Sequence, residues 1–252
     1  MESQKKTIAV IQSRMGSSRL PGKVMMEICN KPLLELMLER LSNSKTIDEI
    51  VVATTNNKND DVIFNWAVSS GYSVFRGNEF DCLDRHYQVG KKFNADYVAK
   101  ITPDCPLIDP EIVDEVIGYF LEHAEKYDYV SNAHPPSYPD GLDFEIFHLK
   151  TLEKAWKESK DPDEREHTTT YIWKHPELFR LGNVIMANDE SLFMEERWTV
   201  DYIDDFKFVK EIYDNLYHQK NLFLTDEILN FLDKNPEIRK INQHLRKYNA
   251  VH

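Results

Sequence analysis

The chain of 252 residues has few cysteines, no long apolar run and no excess of positive charge, and each shortage removes a class of explanation. Its three cysteines, Cys29, Cys82 and Cys105, are odd in number and widely spaced. That excludes a disulfide framework and a zinc knuckle, and reduced thiols are expected. No stretch approaches the roughly 20 apolar residues that cross a bilayer, so membrane insertion is not expected. Near the amino end, the apolar stretch Ile8–Ile11 is too short for the apolar part of a secretion signal, and a cytoplasmic location is expected. A net charge of −12 opposes binding to nucleic acid, whose affinity for proteins rests on neutralising phosphates. Two nucleotide fingerprints are also missing. No G-x-G-x-x-G follows the first apolar run, which disfavours a dinucleotide dehydrogenase. In QSRMGSSRLPGK (Gln12 to Lys23), five residues rather than four separate Gly16 from Gly22, and Val24 stands where a Walker A loop has its magnesium-binding hydroxyl.

What is present is an alternation of short β-branched runs and amphipathic segments. Strands are expected at 7–12, 49–55, 73–77 and 96–102. Helices are expected at 31–44, with Pro32 in its first turn, at 60–72, at 81–94, and at 110–126 behind Asp109 as N-cap. This order predicts an α/β fold with a parallel sheet and right-handed crossovers. After residue 127 the rhythm changes. A proline-rich loop leads into LDFEIF, an antiparallel or mixed strand, followed by helices at 149–159 and 164–176 and a strand-like FRLGNVIM. RWTVD (197–201) reads as a returning strand, with helices at 204–216 and 225–244 after it. The expected organisation is one domain: a nucleotide-binding half (1–127), an inserted lobe (128–196), and a returning strand with C-terminal helices (197–252).

In open parallel sheets, ligands collect at the carboxyl ends of the strands. The opening loop lies at the first such end. Gly16 and Gly22 let backbone N–H groups approach an anion, Ser17 and Ser18 add hydroxyls, Arg19 offers a bidentate grip, and Arg14 and Lys23 add charge. The bland alternative is a basic surface loop. In KITPDCPLIDP, Asp104 follows a strand between Pro103 and Pro106, where it is either a turn residue or a carboxylate facing the same crevice. Asp201 ends WTVD, and with Asp104 it would complete a magnesium site, since that ion favours one or two carboxylates plus phosphate oxygens and water.

Together, RMGSSRLPGK, ITPDCPLIDP and RWTVDYIDDF resemble the cytidylyltransferases that make CMP-activated acidic sugars, the CMP-Kdo and CMP-acylneuraminate synthetases. FRGNEFDCLDRHY, PDGLDFEIF and EREHTTTYI are similar to the spore-coat polysaccharide type. The resemblance covers residues 7 to about 210. It implies a three-layer Rossmann-like nucleotidyltransferase fold with a mostly parallel sheet and a mixed-strand acceptor and dimerisation lobe. It also implies transfer of CMP from CTP to a small acidic acceptor in cell-surface polysaccharide synthesis, and a homodimer. Carried onto this chain, it assigns Arg14, Met15, Gly16, Ser17, Ser18, Arg19 and Lys23 to the nucleotide, and Asp104 and Asp201 to Mg²⁺. Arg85 is either a base-side contact or the partner of Asp81 in a helix ion pair at spacing four.

The acceptor pocket is drawn from Asp143, Glu145, Arg165, Glu166 and His167. Arg165 suits a carboxylate or phosphate, Glu145 a hydroxyl or amine, and His167 the attacking oxygen; surface ion pairs at a helix start are the alternative. No nucleophilic side chain is required, because in-line attack on the α-phosphorus asks mainly for positioning and charge neutralisation by Arg19, Lys23 and the metal. Two other readings stay open: a nucleotidyltransferase acting on a sugar phosphate, polyol phosphate or phosphonate, and a catalytically silent nucleotide-binding subunit.

Overall fold

A computed structural model describes residues 5–187 and 191–248. The first half follows the expected alternation: β1 (Thr7–Gln12), α1 (Leu33–Leu41), β4 (Glu49–Thr55), α2 (Asp61–Ser69), β5 (Ser73–Gly77), α3 (Cys82–Lys92), β6 (Tyr97–Ile101) and α4 (Pro110–Glu122). Asp81 and Asp109 cap α3 and α4, their side chains accepting from the N–H groups of Asp84 and Glu111. Helix α1 starts later than its apolar stripe suggests. Lys31–Pro32 (β3) pairs antiparallel with Glu27–Ile28 (β2), which holds Pro32 extended at the N-cap rather than inside the helix.

Residues beyond 127 continue the same sheet through β7 (Tyr129–Ser131), β8 (Glu145–His148) and β9 (Leu181–Asn183). The order is β5-β4-β1-β6-β8-β7-β9, and β8 alone runs against its neighbours. One face of the sheet is covered by α1, α2 and α4, through Leu34, Leu38, Ile63, Val113 and Phe120. The other is covered by α3, α5 (Leu149–Glu158) and α7 (Thr170–Lys174), through Leu83, Leu152 and Ile172. This is a three-layer α/β fold whose central strands are buried on both sides, which is why they read as nearly continuous apolar runs. Helices α8 (Ile203–Leu216) and α9 (Thr225–Lys234) close a third cluster around Trp198, Phe208 and Ile228. Among the described residues, no helix is long and apolar enough to cross a membrane.

Three expected elements differ. The helix at 164–176 is split into α6 (Pro162–Glu166) and α7, because Thr168 adopts a left-handed φ of 33° in a run of β-branched threonines. The helix at 225–244 ends at Lys234, and Pro236 opens the short α10 (Pro236–Arg239), since proline tolerates a first turn and not an interior. Among the described residues RWTVD joins neither sheet and makes an isolated parallel bridge, Arg197 with Asp140. Its donors are taken by loops: Trp198 and Thr199 donate to the Asp140 carbonyl at 2.6 and 2.9 Å, and Val200 to that of Asp104 at 2.8 Å.

Candidate active site

Strand order reverses between β1 and β6, whose carboxyl ends carry the opening loop and Thr102–Asp104. In open α/β sheets this crevice is where ligands bind. The loop is folded around Met15. Its N–H donates to the buried Asp60 carboxylate at 2.7 Å, and its carbonyl accepts from Ser17 and Gly22 at 3.0 and 2.9 Å. Gly22 turns the chain through a left-handed φ of 73° into the short turn that begins at Lys23. Gly16, Ser18 and Arg19 face solvent and Arg14 is half-buried, whereas Lys23 is buried.

Lys23 reaches across the crevice. Its Nζ donates to Asp104 Oδ2 at 3.2 Å, to Asp201 Oδ1 at 3.0 Å and to the Val200 carbonyl at 2.7 Å. Arg19 donates to the same Asp201 oxygen at 2.7 Å. Two of the three cations of the first loop, Arg19 and Lys23, therefore meet the two distant carboxylates, as a shared site requires. Burial disfavours charge on Lys23, but the carboxylates of Asp104 and Asp201 outweigh it and raise its proton affinity. Burial likewise works against the Asp104 carboxylate, and the Lys23 ammonium with the Thr102 hydroxyl holds its pKa below the ordinary value.

Asp201 is held from behind by Arg197, which is 1% exposed. The Arg197 guanidinium forks onto Asp205 at 2.9 and 2.9 Å, reaches Asp140 at 3.0 Å and meets Asp201 Oδ2 at 3.4 Å. Asp205 in turn accepts from the N–H groups of Asp201 and Tyr202, fixing the start of α8. Gly141 permits the approach of the 140 loop to this segment. Its φ is 113°, and a Cβ there would lie 2.5 Å from the Thr199 nitrogen.

Among the described residues, no group of three or more His, Cys, Asp or Glu side chains could cage a metal. Asp104 and Asp201, close enough to share one ammonium, form instead the two-carboxylate donor set that suits magnesium arriving with phosphate oxygens and water.

Beside this centre, Lys100 on β6 pairs with its cross-strand partner Glu145 on β8. Glu145 also accepts from the Tyr129 hydroxyl at 2.8 Å, and Lys100 donates to Thr169 at 3.3 Å. Asp143, next to this pair in sequence, has no hydrogen bond or ion pair among the described residues. Burial, with repulsion from Asp140, Glu145 and Asp104, pushes its carboxyl up to about 7. His86 is fully buried and driven down to about 3 by desolvation, so it is a neutral structural imidazole beside the Cys82 carbonyl and Thr168.

The other expected contacts divide. Arg14 meets Glu166 at 3.2 Å, joining the opening loop to α6. Arg165 is engaged by Asp81 at 2.7 Å and by the carbonyls of Trp156 and Ser159. His167 lies at the surface, 3.8 Å from Asp163. Arg85 does not form the ion pair with Asp81. It is buried, donating to the carbonyls of Asn78 and Glu79 and to Cys82 Sγ, and so shapes the 78–79 turn from beneath. Sequence reasoning missed Lys100, Tyr129, Asp140 and Arg197. A lysine interrupting the apolar run YVAKI and an arginine four residues before Asp201 were the available signals.

The sequence model described as Cytidylyltransferase matches residues 8–229. The spore coat polysaccharide biosynthesis protein SpsF of Bacillus subtilis (strain 168) is 30% identical over 233 residues, covering 90% of this chain and 94% of that protein. A cytidylyltransferase structure from Leptospira borgpetersenii superposes with a TM-score of 0.87 at 34% identity, over 94% of this chain and 98% of that one. CMP:2-keto-3-deoxy-manno-octonic acid synthetase complexed with CTP shares the fold, with a TM-score of 0.62 at 18% identity over 83% of this chain and 99% of that one.

Proposed function

The chain belongs to the cytidylyltransferase family, and from that premise we propose that it transfers CMP from CTP to a small acidic sugar or related acceptor, releasing pyrophosphate, in cell-surface polysaccharide synthesis. The observation that carries this reading is the convergence of Lys23 and Arg19 on Asp104 and Asp201 at the switch point of the sheet. The opening loop, with Gly16 and Ser18 exposed at its tip, takes the triphosphate, and Arg19 and Lys23 meet the charge that grows on the leaving group. Asp104 and Asp201 would hold Mg²⁺, which when bound neutralises phosphate charge and makes the α-phosphorus a better electrophile.

The acceptor sits toward Lys100, Glu145 and Asp143. Arg14, whose half-exposed pairing with Glu166 is exchanged at little energetic cost, joins Arg19 and Lys23 on the triphosphate. An acceptor oxygen attacks the α-phosphorus; the new P–O bond forms as the bond to the α–β bridging oxygen breaks, and pyrophosphate departs. Asp143 receives the acceptor's proton, a role suited to a carboxyl that burial and the neighbouring carboxylates raise to about 7 against the pull of Lys100.

The test is to incubate the protein with each nucleoside triphosphate, Mg²⁺ and a panel of sugar acids, sugar phosphates and polyol phosphates, measuring pyrophosphate. CTP-specific release with a sugar acid is expected. Tight CTP binding with no release from any acceptor would contradict the enzymatic reading.

A further inference from the structure

The Lys23 ammonium has three N–H donors and three protein acceptors, Asp104 Oδ2, Asp201 Oδ1 and the Val200 carbonyl, at 3.2, 3.0 and 2.7 Å. With the residue only 8% exposed, no donor is left over for a phosphate. The carboxylates are equally engaged. Asp201 meets Lys23 and Arg19 through Oδ1 and Arg197 through Oδ2, while Asp104, beyond its bond from Lys23 to Oδ2, has the Thr102 hydroxyl and a 3.8 Å contact from the Cys105 thiol to Oδ1. The same two carboxylates cannot hold this ammonium and a divalent cation together at close range. A tethered cation also competes at a high effective concentration with any free one.

We propose that Lys23 is a built-in counter-ion, which closes the Asp104–Asp201 pair to a free divalent cation and releases it only when a triphosphate offers the ammonium new acceptors. The proposal rests on the reading of Asp104 and Asp201 as metal ligands. It adds an order of assembly: Lys23 swings from carboxylate to phosphate, and the carboxylates become available in the same event. Nucleotide and metal thus bind with positive coupling, and by linkage each strengthens the other by the same factor. Arg197 keeps Asp201 in place during the exchange, because its fork onto Asp205 does not involve the departing ammonium.

The experiment is a Mn²⁺ titration of the full chain, followed by electron paramagnetic resonance of the free ion, with and without CTP. Lys23→Met is expected to bind Mn²⁺ about tenfold more tightly than the unsubstituted protein when CTP is absent, and to lose most of the CTP-induced gain. Lys23→Arg, which keeps the charge, is expected to bind as weakly as the unsubstituted protein, and adding Asp104→Asn to Lys23→Met is expected to abolish the gain. Should Lys23→Met fail to fold, the unsubstituted protein still decides: Mn²⁺ affinity that CTP does not change would overturn the proposal. So would a folded Lys23→Met that binds Mn²⁺ no more tightly. Failure of the underlying metal assignment looks different, namely Mn²⁺ binding in the presence of CTP that Asp104→Asn leaves unchanged.

Discussion

Lys23 and Asp201 are separated by 178 residues in the chain and by 3.0 Å in the fold. The contact ties the end of the opening loop to the segment before α8 across the mouth of the sheet. Replacing Lys23 removes a charge that faces the triphosphate and leaves two carboxylates without their shared partner. Lys23→Ala is therefore expected to reduce pyrophosphate release by about 10²–10³-fold and to lower the melting temperature, since stranding buried charges destabilises. Initial rates at saturating CTP and differential scanning calorimetry read the two effects.

Asp104→Asn separates them. Asp104 is half-buried and has one cationic partner, so its amide is expected to change stability little while turnover falls by about two orders of magnitude. Turnover near that of the unsubstituted protein would remove Asp104 from the metal site.

Asp143 carries a pH dependence of definite sign. With its carboxyl raised from 3.8 to about 7 in the fold, the native state holds a proton that the unfolded chain has released. Stability from this group therefore declines as pH rises between about 4 and 7, and stays low above that window. Asp143→Asn is expected to stabilise the protein at about pH 8, by an amount on the order of a few kcal/mol, and to have little effect at about pH 4. Its turnover should fall by roughly 10²-fold if the carboxyl takes the acceptor's proton. Urea unfolding at the two pH values and acceptor-saturated rates check both parts.

How much of this was legible depends on what each feature rests on. The strands of the first half were readable to within a residue because burial on both faces makes them continuous apolar runs, and Asp109 announced its own helix. RWTVD was misread because β-branched composition does not reveal that Asp140 and Asp104 take its backbone donors. Pro236 and the threonine run at 168–170 carried the helix breaks in plain view. At the site, local charge density pointed to Arg19 and Lys23, and position after apolar runs pointed to Asp104 and Asp201. Lys100, Arg197 and the engagement of Arg165 by Asp81 depend on which segments the fold brings together, which no spacing encodes.

Gly141→Ala tests the scaffold without touching a charged group. An added methyl would strike the Thr199 backbone in a conformation that favours glycine, so a loss of about 2–4 kcal/mol is expected, with weakened CTP binding as the segment before Asp201 shifts. An unchanged melting temperature would show that the 140 loop is not packed as described.

Arg165→Met distinguishes a scaffold arginine from an acceptor ligand. Loss of the Asp81 pair and two carbonyl contacts is expected to destabilise by about 1–3 kcal/mol and leave CTP affinity unchanged. A selective rise in the KM for a sugar acid, with no loss of stability, would return Arg165 to the acceptor pocket.

The most direct measurement is calorimetric titration of CTP with Mg²⁺ into the unsubstituted protein and into the Arg19→Met/Lys23→Met double variant. Loss of both cations is expected to weaken binding by at least about 30-fold, with the affinity of the unsubstituted protein falling as salt rises. Equal affinity for the two proteins, or no binding to either, would contradict a triphosphate site built on Arg19, Lys23, Asp104 and Asp201.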